Sequence, residues 1–197
     1  MDSSKSLDYE QQSYSPWMKF FHWFMGICIL MVLNIGFLLD DIPTLQKHFW
    51  ISFHKSLGVL ALITLFFRIG IKIQSKKLKP VQPRILHILS SATVIFLYAA
   101  MLIVPLSGYL MSLLQGYPVS FFNLFNLPAL LVKDKEMGNL FFDIHAWAAT
   151  FFAYFIGLHI MGALYHKFFL KDDVLNRMLP KLKFWTRKNL EENGEGD

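Results

Sequence analysis

A chain of 197 residues is long enough for one domain, and its 54% hydrophobic content, mean hydropathy of +0.40 and twenty phenylalanines exceed what a soluble core needs. The formal charge of +5 does not point to nucleic acid, because the basic residues gather at the ends of apolar stretches and form no aromatic-interleaved patch. The single cysteine, Cys28, rules out an intrachain disulfide and reads as a small core residue.

About 20 mostly apolar residues cross a bilayer as a helix, and four stretches qualify: Trp17–Leu39, Trp50–Ile73, Arg84–Leu114 and Phe141–Leu170. The expected fold is all-α, a transmembrane four-helix bundle. Residues 1–13 are polar and aperiodic and read as a disordered tail, residues 14–180 as the membrane domain, and 181–197 as a second charged tail. The first stretch is too long for a signal-peptide core and ends at Leu39-Asp40-Asp41 without a small-residue cleavage site, so it is read as a mature span. Of the 19 Lys and Arg, 15 fall at the two termini and the second-to-third connection, against Lys47, Lys55, Lys133 and Lys135 on the other side. The positive-inside rule then expects both termini in the cytoplasm.

Along the chain, Tyr14, Trp17 and Trp23 occupy interfacial positions, and His22 follows about one and a half turns inside the first span. His48 precedes the second span and His54 lies about one turn inside it. Gly58, at i+4 from His54, leaves room on the same face for a flat group, a spacing that also suits plain helix packing. Arg68 lies fourteen residues beyond His54 on that face. Pro105 and Gly108 mark a tolerable kink in the third span, and His87 sits at its cytoplasmic mouth. The outer connection, about Gln115–Leu140, reads as an interfacial segment or cap. The last span carries His145 and His159, nearly four turns apart on one face and about 21 Å apart along the axis.

Intramembrane histidines normally face a bundle interior and mark a partner, ligand or proton path. By depth, His22 and His159 form an inner level, and His54 and His145 an outer one. Two such pairs suit axial ligation of two haems b, each held from both faces by neutral imidazoles, which favours electron transfer over oxygen binding. No Cys-x-x-Cys-His string permits covalent attachment. The competing reading is four ordinary buried histidines. Bare zinc or iron is disfavoured by the lack of thiolate or carboxylate partners, Asp143 being the nearby acid.

These residues resemble the bacterial cytochrome b561 family of four-helix dihaem inner-membrane cytochromes, which includes a superoxide oxidase branch. The resemblance runs from about Tyr14 to Pro180. It is carried by Tyr14-Ser15 leading to Phe21-His22-Trp23, by His54 with Gly58 and Arg68, and by Tyr98 with Pro105 and Gly108. It continues with His145, Ile156-Gly-Leu-His159 and His166, then Lys171-Asp172, Arg177-Met178 and Pro180. It implies the pairs His22 with His159 and His54 with His145, electron exchange with ubiquinone or another membrane quinone and, in that branch, oxidation of superoxide at the outer face. Where superoxide oxidase has histidines at the start of its third helix, this chain has Ser91 and Val94.

Two functions are therefore expected: a superoxide:quinone oxidoreductase, or an electron-carrier or anchor subunit serving a separate dehydrogenase. A non-redox scaffold would require all four histidines to be ordinary. Three further residues have two readings each. Arg68 meets a haem propionate or snorkels to the interface. Lys55, with Lys133 or Lys135, steers superoxide or is a solvated lysine. His166, seven residues past His159 and roughly 10 Å further inward, donates protons to quinone, or is interfacial or propionate-bound.

Overall fold

The computed structural model describes residues 13–75, 84–129 and 131–180. Four helices, each long and apolar enough to cross a membrane, make up most of it: α1 (Pro16–Leu38), α2 (Thr44–Gln74), α3 (Arg84–Leu114) and α4 (Lys135–Tyr165). A π-helical turn, His166–Leu170, prolongs α4. The expected tails lie outside the described residues except Ser13, whose hydroxyl bonds the Arg177 carbonyl.

Local signals fix the ends of these helices. Ser15 caps α1 by accepting from the Met18 N–H, with Pro16 in the first turn where its missing N–H costs nothing. Asp134 caps α4 through the Met137 N–H, and Glu136 complements the positive end of the helix dipole. α2 and α4 each begin six residues earlier than their apolar stretches suggest, at Thr44 and Lys135. The extra turns mix polar and apolar residues, so hydropathy alone misses them. The outer connection is shorter than expected, ending at Asp134, and contains a hairpin: β1 (Ser120–Phe121) pairs antiparallel with β2 (Phe125–Asn126). Phe122 and Asn123 turn it with positive φ.

Helices adjacent in sequence pack against one another, α3 and α4 most extensively. Their shared interior is Met25, Ile29 and Leu33 from α1, Leu65 from α2, Leu97, Ala100 and Met101 from α3, and Phe152 from α4. Large apolar side chains such as Phe66, Phe67, Ile95, Phe151 and Tyr154 point outward instead. Such a surface is stable only in lipid.

The two ends of the described chain meet. The Tyr14 N–H donates to the Arg177 carbonyl and the Trp23 indole N–H to the Met178 carbonyl, so residues 13–23 and 177–178 share one end of the bundle. At the opposite end the hairpin docks on α2 through Ser56, which is 1% exposed. Its hydroxyl accepts from the Phe122 N–H at 2.9 Å and lies 2.9 and 3.1 Å from the carbonyls of Ser52 and Ser120. Tyr109 adds a hydroxyl bond to the Pro128 carbonyl.

Candidate functional site

The helix bounds set the histidine levels. His54 is ten residues after Thr44 and His145 ten residues after Lys135, so both lie equally deep from the hairpin end. His22 is six residues after Pro16 and His159 six before Tyr165, matching at the other end. The structure places the members of both pairs opposite one another, with their rings nearly perpendicular. The ring centres of His22 and His159 are 6.2 Å apart at 71°, and those of His54 and His145 are 6.2 Å apart at 81°. Phe152, 4% exposed, is seven residues from both α4 histidines and fills the space between levels.

The outer pair is held by partners that the sequence reading did not assign to it. The His145 Nδ1 lies 2.8 Å from the Val104 carbonyl and 3.4 Å from the Ser107 hydroxyl. A carbonyl only accepts, so Nδ1 carries the hydrogen and Nε2 keeps its lone pair. Both outer rings rest on glycine. A Cβ on Gly36 would stand 2.9 Å from His54 Cε1, and one on Gly108 would stand 2.9 Å from His145 Cε1 and Nδ1. In each case Nε2 is the ring nitrogen farther from the glycine. The signal for Gly36 was present: it lies fourteen residues past His22, on that residue's face and at the other level. Gly58 has open space where its Cβ would be.

The inner pair has a different environment. Arg68 lies close enough to both His22 and His159 for its charge to act on them. Its guanidinium sits over the Tyr98 ring at 5.5 Å and reaches the Met25 sulfur at 3.8 Å. Among the described residues no carboxylate pairs with it, and its buried Nε lacks a hydrogen-bond acceptor. Nδ1 of His22 is likewise buried without a protein partner. So is Nδ1 of His54 by strict hydrogen-bond geometry, although the Val32 carbonyl lies near that ring.

The remaining candidates separate. Lys55 donates to the Pro118 carbonyl at 3.4 Å and sits over the Tyr117 ring at 5.8 Å, so it braces the outer cap. Lys133 lies against Gly116 in the same turn, where φ is +83°. Lys135 is exposed at the start of α4. His166 is 7% exposed and its Nδ1 lies 2.6 Å from Asp172 Oδ2, a partner the sequence reading did not anticipate. His48 and His87 are exposed and join neither pair. Among the described residues no cluster of three or more His, Cys, Asp or Glu forms a metal cage. A groove of about 660 Å³ beside α4, lined by Phe37, Thr150, Tyr154 and Gly157 among others, touches none of the four histidines.

Residues 13–181 match the family described as prokaryotic cytochrome b561. The chain belongs to this family. It is similar to Cytochrome b561 homolog 2 of Escherichia coli (strain K12), 28% identical over 165 residues, covering 82% of this chain and 88% of that protein. It is also similar to Cytochrome b561 homolog 1 of the same organism, 29% identical over 132 residues, covering 66% and 74%. This prokaryotic cytochrome b561 is thus a multi-pass membrane protein that carries haem b and transfers electrons. Within it, the paired histidines are the side chains whose chemistry suits that cofactor.

Proposed function

We propose that this cytochrome b561 holds two haems b, His22 and His159 binding one and His54 and His145 the other, and moves electrons across the inner membrane between an outer donor and membrane quinone. The observation that carries this reading is the common 6.2 Å spacing of the two pairs. A metal lies about 2 Å from an imidazole nitrogen, which is itself roughly 1 Å from the ring centre. Two rings bound on opposite sides of one ion therefore have centres about 6 Å apart.

The surroundings fit the group. Val104 holds His145 in the tautomer that leaves Nε2 free, the second-sphere bond usual for metal-binding histidine. Gly36 and Gly108 keep the outer rings close to their helices, and the open space at Gly58 accommodates a flat macrocycle. The Arg68 guanidinium, with a buried N–H lacking an acceptor, suits a propionate on the inner side. Bound haem b would supply reversible one-electron chemistry, and both imidazoles of a pair would hold it.

The end bearing Tyr14 and Arg177 is assigned to the cytoplasm, because the Lys and Arg excess gathers there. Quinone is reduced at that end, with His166 as proton donor. Superoxide is the donor of the first reading. The second reading, a carrier or anchor subunit for a separate dehydrogenase, is favoured by Lys55, which spends its ammonium group on Pro118 and Tyr117.

The test of haem binding is to titrate haem per purified chain for each of the four His→Ala variants. His22→Ala and His159→Ala should lose one spectral component and His54→Ala and His145→Ala the other. A single haem per chain, or losses that cross these pairs, overturns the assignment. Reduction by superoxide alone selects the oxidase, and reduction only with a partner dehydrogenase selects the carrier.

A further inference from the structure

The last turn of α4 does not end as an ordinary helix. The His166 carbonyl accepts from the N–H groups of both Lys171 and Asp172, and Lys171 takes the left-handed conformation at φ 51°. For a side chain other than glycine that conformation is costly and persists only where the surroundings enforce it. Its effect is to reverse the chain so that Asp172 returns over His166. The Asp172 carboxylate is then fixed at both oxygens: Oδ1 accepts from the Val174 N–H at 3.1 Å, and Oδ2 lies 2.6 Å from His166 Nδ1. Both side chains are largely withdrawn from solvent. The neighbouring acid, Asp173, is engaged elsewhere, through the Asn176 amide at 2.9 Å.

We infer that Asp172 is a positioning residue for His166, fixing hydrogen on Nδ1 and thereby making Nε2 the nitrogen that delivers protons to quinone. This rests on the proposed quinone reaction at the inner end. Reduction of a quinone to a quinol takes two electrons, which the cytochrome carries, and two protons. For each proton the Nε2–H bond breaks as an O–H bond forms on the quinone oxygen. The donor is thus the imidazolium, and the bonding pair stays on Nε2 to leave a neutral ring with hydrogen on Nδ1. Nε2 then takes a replacement proton from hydronium at the inner face, leaving water. Asp172 neither gives nor keeps a proton; it holds the ring from turning and prevents the other tautomer, in which Nδ1 would need a donor. An amide in its place can present either oxygen or N–H to Nδ1, so Asp172→Asn preserves size and loses the instruction.

Two measurements on the full chain in lipid test this. In protein labelled with ¹⁵N-histidine, the His166 signals, identified by their loss in His166→Ala, should show Nδ1 protonated; an unprotonated Nδ1 overturns the inference. With ubiquinone analogue as acceptor, Asp172→Asn should lower the saturating rate by about tenfold to a hundredfold, with KM within about twofold and both haem spectra intact. Asp173→Asn should match wild type. A wild-type rate in Asp172→Asn beside a slow His166→Ala overturns the role of Asp172 and leaves the quinone reading standing. A wild-type rate in His166→Ala overturns that reading as well. Loss of haem in Asp172→Asn counts against positioning and for a structural role, and if that variant does not accumulate, the Nδ1 state of the wild-type chain decides.

Discussion

His145 lies 2.8 Å through its Nδ1 from the Val104 carbonyl, on the residue immediately before Pro105. The helix-interior proline and the histidine therefore meet at the level nearer the hairpin. Helix α3 turns a main-chain acceptor toward α4 there, and that acceptor sets which imidazole nitrogen is free. His145 is thus oriented by backbone, the component of a protein least open to change by substitution.

The glycine seats give the first prediction. Gly36→Ala and Gly108→Ala each put a methyl 2.9 Å from a histidine ring, inside van der Waals contact, so the ring must swing toward its partner. Overpacking of this kind costs about 1–3 kcal/mol. Each variant should shift or lose the outer haem spectrum while the inner one stays, and Gly70→Ala, with open space around its Cβ, should change neither. Visible spectra of the purified variants check this.

Arg68→Leu should lower the midpoint potential of the inner haem, since removing a nearby cation disfavours the added electron. The expected shift is on the order of tens of millivolts. A redox titration that finds both potentials unmoved would return Arg68 to the role of an interfacial cation.

Lys55→Glu tests steering at the outer face. If superoxide is drawn there, the variant should slow haem reduction several-fold at low ionic strength, with the difference shrinking as salt is added. Stopped-flow reduction by superoxide at two salt concentrations gives the answer. An unaltered rate constant leaves Lys55 with its contact to Pro118 alone.

Ser56→Ala addresses the hairpin. It strips the Phe122 N–H of its acceptor at a buried position, a loss worth about 1–3 kcal/mol. A lower Tm with unchanged haem content is expected, whereas an unchanged Tm would mean that the cap is held chiefly by Tyr109 and the aromatic contacts of Phe53 with Phe122.

Much of this arrangement is legible in the sequence, for a physical reason. Hydropathy is set by the bilayer, so the four spans appear as apolar stretches, and helix geometry turns the fourteen-residue interval between His145 and His159 into two levels on one face. What the sequence hides are relations across elements. Gly36 has meaning only beside His54 on the next helix, and Val104 only because its carbonyl is turned to α4. Asp172 enters the sequence reading only as part of the Lys171-Asp172 motif, and its partner shows once the left-handed Lys171 folds it onto His166. The starts of α2 and α4 were missed because Thr44–Phe49 and Lys135–Leu140 are too mixed in polarity to read as apolar stretches; Asp134 caps α4, while α2 starts after Pro43 without a side-chain cap.

Both histidine pairs draw one member from α4, the last of the four described spans in chain order. During synthesis the first three spans offer His22 and His54 at different depths, each facing an empty neighbour position. The His54–His145 pair cannot form until residue 145 has been made, nor the His22–His159 pair until residue 159, so both proposed haem sites wait for α4. A chain released after α3 could insert three helices and would still present no pair of opposed imidazoles. Truncation before residue 145 would therefore leave a membrane fragment without either proposed haem site.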